Sequence, residues 1–299
     1  MSVHSSSLQT PGPRFPHFNM AMPAVFVLLW SSGFIFAKLV LPHAEPFTFL
    51  SLRFSIVAAI LATLALFVGA PWPGSWRQAG HIALSGLLVQ GIYLGGVFAA
   101  IHLGISAGVS ALIVGVQPIL TATVVGPLLG EAVRPRQWLG LLFGFVGVVL
   151  VVARALQLDA GGLAGFALCV AGLLGITIGM VYQKKFCASL DLRTGTSIQF
   201  TAAALMMALL SLAFERQHIE WTGDFIVGLL WLSLVLSVGA ISLLSIMIRH
   251  AAASRVASLF YLVPPITALM AYLVFGETLR PVAVLGMAIA AAGVALVNS

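Results

Sequence analysis

Gly130-Glu131-Ala132-Val133-Arg134-Pro135 is written a second time, 146 residues later, as Gly276-Glu277-Thr278-Leu279-Arg280-Pro281. Carried along the chain without a gap, the same offset lays Pro118 on Pro264, Thr121-Ala122 on Thr267-Ala268, Leu139-Gly140 on Leu285-Gly286 and Gly147-Val148 on Gly293-Val294. Upstream it lays Gly33 on Gly179, Lys38 on Lys184, Ser51 on Ser197 and Phe54 on Phe200. Apolar chains share Leu, Ala and Val by chance, so the weight rests on the Gly, Pro, Lys and Glu coincidences. They point to an internal duplication.

The 299 residues are 61% hydrophobic and 7% charged, with a mean hydropathy of +1.11. These values exclude an ordinary soluble domain and fit an all-α, multi-pass membrane protein. The formal charge of +6 is carried by basic residues that stand singly at the ends of apolar runs. They suit orientation in a bilayer rather than a nucleic-acid partner. Cys169 and Cys187 have neither a disulfide framework nor metal-ligand spacing, so no metal or cofactor is expected.

Residues 1–20, rich in Ser, Pro and His, read as a disordered tail. Ten apolar runs follow, at about 21–41, 46–69, 79–101, 104–128, 136–156, 161–184, 194–214, 224–247, 252–274 and 281–298. Each is long enough to cross a hydrocarbon core about 30 Å thick. The offset divides them into a first five-helix repeat, 21–156, and a second, 161–298. Basic residues in the connectors set the orientation. With the N-terminus inside, the cytoplasmic side collects Arg14, Arg77, Arg134, Arg136, Lys184, Lys185, Arg193, Arg249 and Arg255, against Arg154, Arg216 and Arg280 outside. Both termini are then cytoplasmic. Five crossings per repeat turn the second copy upside down, an architecture of secondary transporters in which two near-equivalent halves open a midplane site to each side in turn.

The chain resembles the EamA-type, ten-helix branch of the drug/metabolite transporter superfamily. The resemblance rests on Trp30-Ser31-Ser32-Gly33-Phe34 followed by Lys38, on Arg53 and Pro118, and above all on the Gly-Glu…Pro…Gly pattern entering helices 5 and 10. It covers roughly residues 21–298 and implies movement of small metabolites, notably the export of amino acids, across a bacterial inner membrane. The halves differ in one place: Trp30-Ser31-Ser32 falls on Ile176-Thr177-Ile178.

A polar group in hydrocarbon must face a neighbour or a wet cavity. Trp30, Ser31, Ser32, Gln90 and Gln117 fall near the centres of their helices and are expected to converge on a substrate cavity. The bland alternatives are interhelical hydrogen bonds for the glutamines and bonds to the helix's own carbonyls for the serines. Tyr93, on nearly the face of Gln90, and Tyr261, just before Pro264-Pro265, join the candidates, with ordinary packing as their alternative. Pro118, Pro264 and Pro265 are expected to kink helices 4 and 9 at equivalent depths and to serve gating. Lys38 and Arg53 are the expensive residues. Lys38 either attracts a substrate carboxylate or snorkels beside Glu45, whereas Arg53 is expected to snorkel.

Glu131 and Glu277 read as structural joints that, with Arg134 and Arg280, cap the helix turns or form short ion pairs. Trp138, Trp221 and Trp231 read as interfacial anchors, and His81 and His102 as solvated edge residues. Gly91-x-x-x-Gly95, Gly140-x-x-x-Gly144 and Gly175-x-x-x-Gly179 favour internal helix packing, consistent with a monomer or weak dimer. No Asp or Glu falls near the middle of a helix, so facilitated export or exchange is expected over tight ion coupling. Exporters of nucleosides, sugars or lipophilic drugs remain rivals. An integral-membrane enzyme or a channel fits less well, because acid/base groups are scattered and a continuous polar pore lining is missing.

Overall fold

The computed structural model of the chain describes residues 21–105, 110, 113–152, 162–188, 191–275 and 281–299. Among them, every regular element is helical apart from one isolated bridge between Ala44 and Ile219. In chain order the helices are α1 (Ala21–Val40), α2 (Pro46–Phe67), α3 (Trp76–His102), α4 (Gln117–Leu129), α5 (Pro135–Val152), α6 (Gly162–Phe186), α7 (Leu192–Phe214) and α8 (Gly223–His250). The ninth, α9, runs from Ala253–Ser258 through the 3-10 turn Leu259–Leu262 into Val263–Phe275, and α10 is Pro281–Asn298. Seven of these, α2, α3 and α6 to α10, are long and apolar enough to cross a membrane, while α1, α4 and α5 give shorter apolar stretches.

Two of the long helices are not α-helical throughout. In α3 the segment Leu87–Ile92 is a π-helix, and in α8 so is Trp231–Ala240. An i→i+5 turn holds one residue more than an α turn and changes the phase of everything beyond it.

The Gly-Glu stretch ends one helix and ties three connections together. Gly130 closes α4 at φ 70°, ψ 16°, a left-handed conformation that a side chain resists. Glu131 then pairs with Lys184 at the end of α6 and accepts a hydrogen bond from the Ala253 amide, 2.9 Å, at the start of α9. Lys184 also donates to the Ala251 carbonyl. The partner of Glu131 is thus Lys184 rather than Arg134, because Arg134 sits exposed at the start of α5 with its amide donating to Gln137. The second copy, with Glu277 and Arg280, lies outside the described residues.

Pro118 stands in the first turn of α4, and Pro264 and Pro265 stand where the 3-10 turn Leu259–Leu262 passes into Val263–Phe275. A proline supplies no amide hydrogen, so the carbonyls one turn before Pro264 and Pro265 receive no helical hydrogen bond from them. Glu45 is also differently engaged: it accepts from the Arg216 amide at 2.8 Å, and the side chain of Lys38 lies outside the described residues.

The tightest seam joins α5 to α10. A Cβ on Gly140 would lie 2.7 Å from the Gly293 carbonyl, and one on Gly286 2.7 Å from the Gly147 carbonyl. The offset exchanges these pairs, Gly140 with Gly286 and Gly147 with Gly293. Elsewhere α2 packs along α7, α3 along α6 and α7, and α1 along α8 and α9. Gly91 and Gly95 of α3 face Met206 and Met207 of α7, and Gly175 and Gly179 of α6 face the π-turn of α3, so these glycine pairs serve packing within the bundle.

Candidate functional site

Phe26, Trp30 and Phe34 recur at i, i+4 and i+8 and therefore share one face of α1. The Trp30 ring meets Phe26 at 5.3 Å and Phe260 of α9 edge-on at 5.2 Å. Across from them, Tyr93 follows directly on the π-turn of α3 and lines the same space as Trp30. Together they border a small, partly open cavity of about 40 Å³. Its walls are Trp30 and Phe34 from α1, Tyr93 and Val97 from α3, Ser110, Val114 and Gly115 ahead of α4, and Phe260, Val263 and Pro264 from α9. Among the described residues no charged side chain lines it. A space with aromatic faces, one phenol and one serine hydroxyl suits a neutral or ring-bearing group held by dispersion and a few polar contacts.

Of the residues singled out in the sequence, Trp30, Tyr93 and Pro264 come together at this cavity. Ser31 lies against α9 instead, donating to the Val263 carbonyl at 3.3 Å. Ser32 donates to the Leu29 carbonyl of its own helix at 2.6 Å and accepts from the Trp231 indole at 2.9 Å. Gln117 turns toward α6, its amide nitrogen 3.2 Å from Thr121 Oγ1 and 3.2 Å from Met180 Sδ. Gln90 is buried inside the π-turn of α3, and its Nε2 has no partner among the described residues.

Tyr261 is fully buried with its ring in the groove over Gly144, where a Cβ would come within 2.2 Å of it. Its neighbour Phe260 faces the cavity in its place. The 3-10 turn is the reason, since three residues per turn advance the chain by more per residue than an α-helix does.

Three further expectations change. Arg53 does not snorkel: it is 2% exposed, its Nε donates to the Leu232 carbonyl at 3.1 Å, and its Nη2 donates to Ser237 Oγ at 3.0 Å. A carbonyl in the π-turn of α8 offered the guanidinium a partner nearer than the interface. Trp231 is no plain interfacial anchor, because it stacks on Phe36 at 4.7 Å besides binding Ser32. His81 is not simply solvated; it shares a 2.5 Å hydrogen bond with Tyr182 and stacks on Phe186.

Sequence reasoning missed Phe34, Val97, Ser110, Val114, Gly115, Phe260 and Val263 as cavity residues. The i+4 spacing from Trp30 was an available signal for Phe34 and from Tyr93 for Val97; for Phe260 there was none without the 3-10 turn.

The model of the EamA-like transporter family matches this chain twice, over residues 20–153 and 163–299. The chain is similar to the uncharacterized transporter YvbV of Bacillus subtilis, 26% identical over 92% of this chain and 90% of that one. It is 25% identical to the uncharacterized inner membrane transporter YedA of Escherichia coli (strain K12), over 95% of this chain and 92% of the relative. A probable amino-acid metabolite efflux pump of Salmonella typhimurium is 26% identical over 89% of this chain and 90% of the pump. One crystal structure shares the fold with a TM-score of 0.78 at 19% identity, covering 93% of this chain and 96% of its own.

Proposed function

The chain belongs to the EamA-like transporter family, and from that premise we propose that it exports amino acids or related small metabolites across a bacterial inner membrane by alternating access. The observation that carries this reading is the aromatic cavity, to which α1 and α3 from one half and α9 from the other all contribute. Trp30 and Tyr93 contact the substrate, and Pro264 lets the backbone of α9 approach it without an amide hydrogen. Ser31, Ser32, Gln90 and Gln117 sit on or beside the helices that carry these walls, and Pro118, Pro264 and Pro265 mark the gating breaks. The name of the Salmonella relative supports the amino-acid class.

In this reading the chain crosses the membrane ten times with both termini in the cytoplasm, as repeats 21–156 and 161–298 of opposite orientation, behind the tail 1–20. The 146-residue offset, the two separate matches of the family model and the exchanged glycine pairs of α5 and α10 all support it. The cavity holds no carboxylate among the described residues, which favours facilitated export or exchange over proton coupling. The same apolar walls favour a second reading, export of neutral lipophilic compounds.

Counterflow into proteoliposomes loaded with unlabelled amino acids, one at a time, tests both. Saturable uptake of the matching labelled amino acid is the expected result. Uptake that never saturates points to a channel, and counterflow with lipophilic amines alone overturns the amino-acid assignment. Trp30→Ala raises the KM about tenfold, the effect of removing one large aromatic contact, with the yield of folded protein unchanged. Gln117→Ala has a smaller effect, since Gln117 faces α6 in this structure. A pH gradient alone that drives several-fold uptake would sink the uncoupled mechanism.

A further inference from the structure

The two π-turns occupy equivalent places. Shifted by the 146-residue offset, Leu87–Ile92 of α3 falls within Trp231–Ala240 of α8. Each packs against the first two helices of the opposite half, the turn of α3 on α6 and α7 and the turn of α8 on α1 and α2. Each is seated on an equivalent glycine: a Cβ on Gly179 would lie 2.5 Å from Val89, and one on Gly33 2.9 Å from Leu236. Each also holds a buried polar atom with no partner among the described residues, Gln90 Nε2 in one and Ser233 Oγ in the other. An orphaned buried polar group is a cost, and each turn carries one in this conformation.

What grips them differs. The α8 turn is held by Arg53, which binds both the Leu232 carbonyl and Ser237 Oγ, while Ser237 itself donates to Leu232 at 3.0 Å. The residue equivalent to Arg53 in α7 is Gln199, and among the described residues its Nε2 donates to Ser85 Oγ alone, at 2.7 Å, two residues before the π-segment of α3. Converting the α8 turn to α-helix would strip a buried guanidinium of its acceptors, and no carboxylate among the described residues pairs with it. A stranded charge in the span is prohibitive where a neutral hydrogen bond is not. Only the α3 turn, moreover, leads directly into cavity walls, at Tyr93 and Val97. Rewinding it removes one residue from a turn and swings both side chains about 100° around the helix axis.

We propose that Arg53 is a positioning residue of the transport cycle: it fixes the π-turn of α8, so that the π-turn of α3 is the one that rewinds when the cavity changes side. This rests on the alternating-access reading above. Amide hydrogen exchange on the purified full chain, with no ligand added, tests it separately. In the wild type, the peptide covering 87–92 exchanges about tenfold faster than that covering 231–240, a ratio of the size one lost hydrogen bond produces. Arg53→Gln raises exchange across 231–240 about tenfold and leaves 87–92 as it was. Should that variant fail to fold, Ser237→Ala, which leaves the charge and the Leu232 contact in place, raises exchange in 231–240 alone, by about threefold.

Equal exchange of the two turns in the wild type overturns the proposal. So does a rise spread evenly over α2, α7 and α8, which would make Arg53 merely a packing residue. A wild type that gives no counterflow yet exchanges asymmetrically removes the transport assignment and leaves the lock on α8 standing.

Discussion

The starts of α2 and α7 are equivalent under the 146-residue offset, Glu45 falling on Asp191, yet the two helices are capped in opposite ways. Asp191 caps its own helix, accepting from the amides of Arg193 at 2.8 Å and Thr194 at 3.4 Å. Glu45 caps nothing in α2. That role passes to Glu215 at the far end of α7, whose carboxylate accepts from the Phe47 amide at 2.7 Å, the Thr48 amide at 2.6 Å and the Thr48 hydroxyl at 2.7 Å. Glu45 is freed to bind the Arg216 amide in return, and the Ala44–Ile219 bridge closes the same junction. A cap supplied by its own helix stabilises that helix alone. A cap supplied from another helix makes the fold of one depend on the placement of the other.

The largest effect should follow from breaking the borrowed cap. Glu215→Ala leaves two amides at a helix start without their acceptor, at a cost of about 2–3 kcal/mol, and the melting temperature of the solubilised protein falls by roughly 5–10 °C. Lys184→Met comes next. It strips half-buried Glu131 of its cation while the carboxylate still holds the Ala253 amide, at about 1–2 kcal/mol, and the double variant with Glu131→Gln recovers part of the loss.

The smallest is Asp191→Asn, at about 1 kcal/mol near neutral pH. The hydrogen bond from the Arg193 side chain, helped by the backbone amides, holds the Asp191 carboxyl down at about 2. A depressed carboxyl contributes its stability above the ordinary value near about 4 and loses it as the pH falls toward the folded value. The gap between wild type and Asp191→Asn is therefore constant above pH about 4 and closes between about 4 and about 2. If Asp191→Asn proves costlier than Glu215→Ala, the contrast between local and borrowed caps is reversed.

Much of the architecture was legible because apolar runs and connectors are set by the bilayer, a constraint that acts on every residue alike. The internal echo was legible for a similar reason, since Gly130 at φ 70° and Gly147 against a facing backbone tolerate no side chain. What escaped was phase. The position just before Pro264-Pro265 marks Tyr261 as a candidate, but through a single 3-10 turn the neighbouring Phe260 faces the cavity. Arg53 escaped because snorkelling is argued from depth alone, whereas its actual partner is a carbonyl presented by a π-turn in a helix 179 residues away. Gln117 and Ser31 were recognised as needing partners, but which neighbour would supply them depends on helix rotation that periodicity does not encode.

The seam between α5 and α10 has a mechanical consequence. Gly140, Gly147, Gly286 and Gly293 each meet backbone across the seam, with Leu150, Leu296 and Val297 packed beside the contacts. Two rods in contact along bare main chain can roll about the line of contact, but they cannot be pressed closer, and separating them forfeits the contact entirely. The seam thus sets a fixed spacing between α5 and α10, and Tyr261 of α9 rests in the groove that Gly144 leaves open beside it.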